Sequence, residues 1–353
     1  MAAAILAAIL VFPCYGLSAE KAVLLDANTG RVLITQNADT PGLIASTTKI
    51  MTALIVCEQC NVLDRIKIPK EAVGIEGSSI YLQEGEILTI QELLYGLMLH
   101  SGNDAATALA IYCGGTVEGF SQLMNDKAHR LGLINTHFEN PHGLDSPNHY
   151  SSAEDMAKLT AYAMKNPIFR QTVSTKQVRI GQRCLSNHNK LLWNYDGCNG
   201  VKTGYTKKAG RILVSSATRD ERTLVAVTMN APDDWRDHKQ MLDMGFSRFT
   251  QQRIVEKDQV VGYAAVVGGE KGFVKLLAAD DIYISIADNE EPVINLQEPG
   301  FVYAPIAAGE DAGFAYIMIE DYVAAKVPLK YGETVLDLKE SRRTLWERLT
   351  WRN

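Results

Sequence analysis

Runs of apolar residues at two distant places in the chain predict strands. Residues 22–36 contain two such runs on either side of Asn28-Thr29-Gly30, which is the pattern of a β-hairpin. Residues 210–218 and 223–230 are two further apolar runs, and the charged segment between them predicts a second antiparallel pair. The sheet is therefore expected to be assembled from both ends of one domain.

Between these strands, apolar residues recur at helical spacing. Ser152, with Asp155 three residues later, is typical of the start of a helix. The helices predicted in this part of the chain cover residues 46–57, 90–99, 105–113, 117–131 and 152–164. The predicted fold class is α+β, with an antiparallel sheet flanked by helices and a helical insertion between its two parts.

The pattern changes after residue 252. Short apolar runs separated by Gly, Pro and Asp predict a small all-β domain over residues 253–337. This domain is acidic, because residues 262–337 contain 13 Asp and Glu residues against 4 Lys residues. Residues 338–353 carry 5 basic and 2 acidic side chains, with apolar side chains near one helical face. They predict an amphipathic tail helix that either lies on a membrane surface or packs on its own domain.

The amino-terminal segment is apolar through its first 12 residues, and the first charged residue is Glu20. The run is shorter than the roughly 18 apolar residues that a membrane-spanning helix needs. Residues 1–19 are therefore predicted to be a secretory signal peptide cleaved after Ala19, the alternatives being an uncleaved anchor or a buried segment. The sheet-bearing domain is then expected to span residues 20–252, and the protein to be exported and to lie at the outer face of the cytoplasmic membrane.

Length and charge narrow the classes of function. The 353 residues, of which 46% are hydrophobic, are enough for two domains with their own cores. The formal net charge is −6, so the chain has no overall positive field to neutralise a phosphate backbone. Nucleic acid is therefore not an expected partner.

Cleavage after residue 19 leaves five cysteines, an odd number for an exported chain. Cys57 and Cys60 have the spacing of a redox or zinc half-site, but no second ligand pair follows, so they are expected to be structural. Cys184 and Cys198 flank a polar stretch and are the expected disulfide pair. No metal site is expected either from three histidines on separate segments, which are His142, His188 and His238.

Three short motifs occur in one order along the chain and carry the candidate chemistry. Each of the first two is weak by itself, since Ser18 and Lys21 also have the spacing of the first motif. Their context is more specific: Ser46 opens an apolar helix, so Lys49 returns to the same face one turn later and its amine can reach the hydroxyl. The motifs are Ser46-Thr47-Thr48-Lys49, Ser101-Gly102-Asn103 and Lys202-Thr203-Gly204.

The chemistry of a nucleophilic serine requires such an arrangement. A serine hydroxyl needs a nearby base to take its proton, and no histidine lies within a few residues of Ser46. Lys49 can be that base only when it is neutral, and both burial and the positive charge of Lys202 lower the pKa of its amine. A helix amino terminus at Ser46 also offers backbone N–H groups to an oxyanion.

With these motifs the sequence resembles the serine penicillin-recognising enzymes. It is most similar to the low-molecular-mass penicillin-binding proteins of the peptidase S11 type, which are D-alanyl-D-alanine carboxypeptidases. The resemblance covers about residues 22–249 and implies a β-lactamase/transpeptidase-like fold, followed by a β domain and a membrane-anchoring helix. Besides the motifs, it includes the stretches LMLHSGND at 97–104, PHGLD at 141–145, HYSS at 149–152, NHNKLL at 187–192 and GVKTGYTKKAGR at 200–211.

The resemblance also implies catalytic roles. Ser46 is expected to be acylated by the penultimate D-alanine of the substrate, with Lys49 as its base. Ser101 and Asn103 are expected to relay protons and to orient Lys49 and the substrate amide.

Substrate binding is implied in the same way. Lys202 and Thr203, followed by Gly204, are expected to hold the terminal carboxylate of the peptide. The backbone N–H of Tyr205, together with that of the nucleophilic serine, is expected to form the oxyanion hole. Arg236 is expected to assist with the carboxylate, and it is placed only by its distance beyond the Lys-Thr-Gly strand.

The expected function is that of a serine D-Ala-D-Ala carboxypeptidase, which removes the terminal D-alanine from peptidoglycan stem pentapeptides. It is expected to bind β-lactams and to need no metal or organic cofactor. One alternative is a class A β-lactamase, for which Glu139 is the only candidate to activate the deacylating water, and the appended β domain argues against it. The other is a non-catalytic cell-wall-binding protein, which the complete set of motifs disfavours.

Overall fold

The computed structural model describes residues 16–296 and 300–338. The predicted tail helix, apart from residue 338, and residues 1–15 of the predicted signal peptide lie outside the described residues. The chain divides into two units, with the boundary between Ser247 and Arg248. None of the helices within the described ranges combines the length and the apolar character needed to cross a lipid bilayer.

The first unit contains nine strands and eight helices among the described residues. The strands are β1 (Lys21–Asp26), β2 (Val32–Gln36), β3 (Arg65–Lys67), β4 (Ile87–Thr89), β5 (Gln177–Ile180), β6 (Arg183–Ser186), β7 (Cys198–Thr206), β8 (Gly210–Arg219) and β9 (Arg222–Met229). The helices are α1 (Lys49–Gln59), α2 (Ile90–Leu99), α3 (Asn103–Gly114), α4 (Val117–Arg130), α5 (Ala153–Ala163), α6 (Pro167–Ser174), α7 (Leu191–Asn194) and α8 (Asp234–Arg248).

The main sheet has the order β2-β1-β9-β8-β7, and its neighbouring strands are antiparallel. Strand β1 pairs with β9 from Lys21 opposite Met229 to Asp26 opposite Leu224, so the two ends of the unit meet in the centre of the sheet. This confirms the predicted hairpin, the predicted antiparallel pair and the α+β class. Strand β7, which carries the Lys-Thr-Gly motif, lies at one edge of this sheet.

The five predicted helices, α1 to α5, lie between the two parts of the sheet in sequence, as do α6 and α7, which were not predicted, whereas α8 follows β9. The first begins later than its pattern predicts, because residues Ala45–Thr48 form a 3₁₀ turn and α1 starts at Lys49. Nine successive residues of α1, from Lys49 to Cys57, are buried, so this helix runs through the core of the unit. At α5, Ser152 caps the helix and its hydroxyl accepts the N–H of Asp155, which confirms that start signal.

The disulfide prediction is wrong. Cys60, just beyond α1, is bonded to Cys113 in α3, while Cys184 and Cys198 are both free. Cys184 is exposed on β6, whereas Cys198 opens β7 and its thiol lies next to the carbonyl of Gly200. The two thiols belong to strands of different sheets, so the polar stretch between them in sequence does not bring them together.

The start of the described chain is hydrogen-bonded within the first unit. The backbone N–H groups of Ser18 and Ala19 donate to one carboxylate oxygen of Asp237, at 2.9 and 3.1 Å, and the Ser18 hydroxyl donates to the same oxygen at 2.7 Å. Asp237 lies near the start of α8 and is fully buried. These residues therefore hold the beginning of α8 against the start of β1.

The second unit is built from strands, which confirms the predicted small all-β domain. Six of its strands form one sheet in the order β14-β16-β17-β12-β11-β15, and β10 pairs with β13. Its buried core is made almost entirely of aliphatic side chains, including Val274, Ile317 and Val327. The strands are β10 (Phe249–Val255), β11 (Val260–Val267), β12 (Phe273–Ala278), β13 (Ile282–Ala287), β14 (Pro292–Leu296), β15 (Val302–Tyr303), β16 (Asp311–Ile319) and β17 (Tyr322–Tyr331).

Candidate active site

The Ser46 hydroxyl lies on the tight turn that precedes α1. Ala45, the first residue of the 3₁₀ turn, takes up a left-handed backbone conformation with φ of 45°. Strand β7 packs closely on this turn: a Cβ atom added at Gly204 would lie 3.2 Å from the Ile44 carbonyl oxygen and 3.3 Å from the Ser46 nitrogen. A glycine in the Lys-Thr-Gly motif thus lets the edge strand approach the backbone of the serine.

The Lys49 amine lies next to this serine, as the helical spacing predicted. Its Nζ atom is 3.0 Å from Ser46 Oγ, 2.7 Å from the side-chain oxygen of Asn103 and 2.7 Å from the backbone oxygen of His142. A neutral amine has two N–H groups and one lone pair. The two carbonyl oxygens can accept both N–H groups, which leaves the lone pair directed at the Ser46 hydroxyl.

The environment of Lys49 favours the neutral form. Its side chain is completely buried, and burial lowers its pKa well below the ordinary range. The positive charge of Lys202 lowers this pKa further, while the carboxylate of Asp104 raises it. The three atoms that contact the amine are all uncharged oxygens. Lys49 is therefore suited to act as a general base.

Ser101 and Asn103 lie where α2 ends and α3 begins. Ser101 has a left-handed backbone, with φ of 65°, and its buried hydroxyl has no hydrogen-bond partner within the described residues. The side-chain nitrogen of Asn103 donates to the backbone oxygen of Glu76, so the amide oxygen is the end that faces Lys49. This loop thus supplies one free hydroxyl and one fixed amide oxygen.

Lys202 is the second buried amine of the site. It lies in β7, its side chain is 1% exposed, and its Nζ donates to the backbone oxygen of Thr203 at 2.8 Å. Burial lowers the pKa of this amine to about 7. Near neutral pH the charge of Lys202 therefore responds to small changes, and a bound carboxylate would favour its protonated form.

A cleft of about 360 Å³ lies beside these groups, and Lys49, Asn103 and Lys202 are not among the residues that line it. Of the predicted residues, Ser46, Ser101, Thr203, Gly204 and Tyr205 line it. The remaining lining residues were not predicted as site residues. They are Ser78, His188, Lys190, Arg211, Ile212, Asp234 and Trp235.

Arg236 is not among the residues that line this cleft. Its guanidinium is 58% exposed, forms ion pairs with Asp233 and Asp237, and donates to the backbone oxygen of Gly16. The arginine that lines the cleft is Arg211, at the start of β8. Hairpin register could have found it, because Arg211 lies directly opposite Tyr205 across the β7–β8 pair.

The candidate for a lactamase-type glutamate does not line the cleft. The Glu139 carboxylate instead accepts hydrogen bonds from the Ser146 hydroxyl and from the backbone N–H of Asn148.

The histidines near the site are held in the neutral form. Burial is the main reason that the pKa of His142 falls to about 3 and that of His188 to about 4. In residues 16–296 and 300–338, no three His, Cys, Asp or Glu side chains are grouped so that they could hold a metal ion.

Comparison with known proteins assigns both units to described families. The sequence model of D-alanyl-D-alanine carboxypeptidases matches residues 12–233, and that of the C-terminal domain of penicillin-binding protein 5 matches residues 249–336. The D-alanyl-D-alanine carboxypeptidase DacF of Bacillus subtilis is 33% identical over 347 residues, which cover 92% of this chain and 89% of that protein.

Solved structures show the same likeness. Penicillin-binding protein 5 from Haemophilus influenzae superposes with a TM-score of 0.80 and 31% identity, over 91% of this chain and 98% of that one. The Streptomyces K15 DD-transpeptidase superposes with a TM-score of 0.64 and 35% identity, over 66% of this chain and 98% of that one.

Proposed function

Because the chain belongs to the D-alanyl-D-alanine carboxypeptidase family, we propose that Ser46 is its nucleophile and Lys49 the base that activates it. The enzyme is a penicillin-binding D-Ala-D-Ala carboxypeptidase of the peptidoglycan cell wall. One observation carries the assignment of the nucleophile: a completely buried amine lies 3.0 Å from the Ser46 hydroxyl, with both of its remaining contacts made to carbonyl oxygens. The β-lactamase and the non-catalytic wall-binding protein are not favoured.

The proposed acylation step moves one proton and exchanges one bond. Neutral Lys49 takes the proton of the Ser46 hydroxyl while Oγ attacks the carbonyl carbon of the penultimate D-alanine. The backbone N–H groups of Ser46 and Tyr205 stabilise the oxyanion of the tetrahedral intermediate. The C–N bond then breaks, and the proton passes to the leaving amine of the terminal D-alanine, with the unpartnered Ser101 hydroxyl as the proposed relay.

The substrate is proposed to bind along β7. This strand lies at the edge of the sheet, so one side of its backbone can pair with an extended peptide. The terminal carboxylate then lies against Lys202, Thr203 and Arg211. Arg211 takes the role that the sequence analysis gave to Arg236, because Arg211 lines the cleft and Arg236 does not.

Hydrolysis of the acyl-enzyme returns the site to its starting state. Water attacks the ester carbonyl while Lys49 takes one of its protons, the bond between the acyl carbon and Ser46 Oγ breaks, and Lys49 returns the proton to Oγ. A β-lactam acylates the same serine, but its leaving nitrogen remains tethered to the acyl group by the opened ring. For this reason, we expect the penicillin adduct to persist far longer than the peptide adduct.

The family places the protein outside the cytoplasm, and we propose in addition that it is exported by its amino-terminal segment and lies at the cytoplasmic membrane. Peptidases of the cell wall act outside the cytoplasm, and the apolar run through residue 12 supports an export signal within residues 1–19. The basic tail from residue 338 supports contact with the outer face of the cytoplasmic membrane. Residues 20–252 are proposed as the peptidase domain and residues 253–337 as the β domain, although the two structural units divide a few residues earlier, between Ser247 and Arg248.

The test measures D-alanine released from a pentapeptide that ends in D-Ala-D-Ala. We expect Ser46→Ala to lower the rate by a factor on the order of 10⁴ or more, since the nucleophile is lost. The exposed Ser247 offers a matched control, and Ser247→Ala should release D-alanine at the unaltered rate. Intact-mass spectra after brief exposure to penicillin should show one lasting adduct on the unaltered enzyme and none on Ser46→Ala. An adduct that survives in Ser46→Ala would refute the assigned nucleophile.

A further inference from the structure

A buried histidine lies directly behind the nucleophile turn. His149 precedes α5 in sequence and is 1% exposed. Its Nε2 atom is 2.7 Å from the hydroxyl of Thr48, and its Nδ1 atom accepts the backbone N–H of Glu139 at 3.0 Å. Thr48 lies in the Ser-x-x-Lys motif itself, and 101 residues separate it from His149. Each ring nitrogen therefore has one assigned contact.

These contacts fix the tautomer of His149. A nitrogen that accepts a backbone N–H carries no proton, so the single proton of the neutral ring is on Nε2 and points at Thr48. Burial lowers the pKa of His149 to about 4, so the neutral ring is the form present near neutral pH. The Thr48 hydroxyl thus accepts from the ring and is left to donate, and its acceptor is the backbone oxygen of Ala45 at 2.8 Å.

The Ala45 carbonyl, which accepts the Thr48 hydroxyl, belongs to the same peptide unit as the N–H of Ser46. Because a peptide bond is planar, fixing the direction of the Ala45 carbonyl also fixes the direction of the Ser46 N–H, which points the opposite way. This unit follows a left-handed alanine, a conformation that a non-glycine residue keeps only when its surroundings hold it there. Gly143 also packs against this unit, so closely that an added Cβ would be 1.8 Å from the Ala45 oxygen and 2.8 Å from the Thr48 hydroxyl.

We propose that His149 is a positioning residue for the oxyanion hole, acting through Thr48 on the peptide unit that joins Ala45 to Ser46. Its neutral ring directs the Thr48 hydroxyl onto the Ala45 carbonyl, and this orients the Ser46 N–H towards the oxygen of the tetrahedral intermediate. The inference rests on the proposed function of Ser46. It adds to that function a second layer of residues, which touch neither the substrate nor the reacting atoms.

The consequence for kinetics is specific. An oxyanion-hole donor acts on the transition state more strongly than on the bound substrate, so its displacement lowers kcat and leaves KM nearly unchanged. Removing one such donor outright costs about 10²- to 10³-fold in kcat, and a donor that is only misdirected should cost about tenfold. A boronic acid that forms a tetrahedral adduct with the serine places an oxygen in the same hole, so its affinity should fall in parallel with kcat.

The experiment uses two substitutions that remove the hydrogen bonds linking His149, Thr48 and Ala45, and two that keep these hydrogen bonds. Thr48→Val keeps the shape of the side chain without the hydroxyl, and His149→Leu removes both ring nitrogens. Both should lower kcat for D-alanine release and boronate affinity about tenfold, with KM changed by less than about threefold. Thr48→Ser and His149→Gln should recover most of kcat, since a hydroxyl and an amide supply the same donors and acceptors.

Several outcomes separate this inference from its alternatives. His129→Leu, at an exposed histidine of α4, is the control and should match the unaltered enzyme. A merely structural role would shift the unfolding midpoint without the parallel loss of kcat and boronate affinity. If Thr48→Val and His149→Leu keep kcat within twofold, or if His149→Gln recovers nothing, the proposal is overturned. Should His149→Leu fail to fold, Thr48→Val decides alone. Failure of the unaltered enzyme to form a penicillin adduct would instead overturn the proposed function.

Discussion

The two units of the chain both contain antiparallel sheets, but they bury different kinds of side chain. The first buries two lysine amines, at Lys49 and Lys202, together with several other charged side chains, among them Asp26, Asp104 and Asp237. In the second unit, the polar residues among those described as buried are Ser285 and Glu290. The Glu290 carboxylate accepts the backbone N–H of Ala287, three residues earlier, so its hydrogen-bond partner lies in the same turn.

The difference shows where this protein accepts a cost in stability. Burying an amine is unfavourable unless the amine is paired or loses its proton. Lys49 contacts uncharged oxygens, so its burial is compensated mainly by a lowered pKa, which is the property that a base requires. The second unit buries no lysine amine among its described residues, and its one buried carboxylate, Glu290, is held by a backbone N–H.

The sharpest way to test this comparison is the pH dependence of kcat/KM, which should be bell-shaped. Acylation needs neutral Lys49, so the rate should fall about tenfold for each pH unit below the lowered pKa of Lys49. Carboxylate binding needs charged Lys202, so the rate should fall again as the pH rises above the Lys202 pKa of about 7. The measurement is initial-rate D-alanine release between pH 4 and pH 10, an interval chosen to span roughly these limits.

The acidic side of the profile can be assigned with one variant. In Lys202→Met the positive charge that lowers the pKa of Lys49 is absent, so the acidic fall should move to higher pH. The alkaline fall should disappear in the same variant. An acidic side that stays in place would contradict the coupling between the two buried amines.

A smaller effect distinguishes the two arginines. Arg211→Ala should raise KM about tenfold or more, because a hydrogen bond to a charged group contributes about 1.5–3 kcal/mol. The Arg211 guanidinium also donates to Asp234 at 2.8 Å, but both of these residues line the cleft. Arg236→Ala should change KM by less than about twofold, since its exposed guanidinium pairs with Asp233 and Asp237 outside the cleft. The comparison is made on variants whose unfolding midpoints agree. A larger rise in KM for Arg236→Ala than for Arg211→Ala would instead indicate that Arg236 binds the terminal carboxylate of the substrate.

A substitution in the core of the second unit should have the smallest effect on activity, although it should lower the stability of the protein considerably. Ile317→Ala should lower the free energy of unfolding by about 2–5 kcal/mol, because it leaves a cavity in a fully buried position. Penicillin acylation should stay within about twofold, since the residues described as lining the cleft all belong to the first unit. The control is the exposed Val323→Ala, with a cost below about 0.5 kcal/mol in the same denaturant titration. A marked loss of acylation in folded Ile317→Ala would break the comparison.

Local patterns in the sequence predicted much of this architecture. Alternating and helical spacings report on neighbours within a few residues, so the β1–β2 and β8–β9 pairs and helices α1 to α5 were predicted with shifts at their ends. The short strands β3 to β6 and the helices α6 to α8 were not predicted. The same reasoning predicted that Lys49 reaches Ser46, since one helical turn joins the two residues. Residues 45–48 form a 3₁₀ turn and not the predicted first turn of an α-helix, but the Lys49 amine still reaches the Ser46 hydroxyl.

Contacts between distant segments were beyond such patterns. Cys60 and Cys113 are 53 residues apart, and only the packing of α1 against α3 brings them together. The contact of His149 with Thr48 had no local signal either. Arg211 is a partial exception, because counting residues across a tight β-hairpin would have placed it opposite Tyr205.

The bonds that Ser18 and Ala19 make to Asp237 bear on how the amino terminus can be trimmed. A peptidase that cuts before Ser18 leaves the Asp237 carboxylate with its three donors. A cut after Ala19 removes all three and leaves a fully buried carboxylate with Arg236 as its ion-pair partner. Cleavage of the proposed export signal after Ala19 would therefore also remove hydrogen bonds that hold the start of α8 against β1.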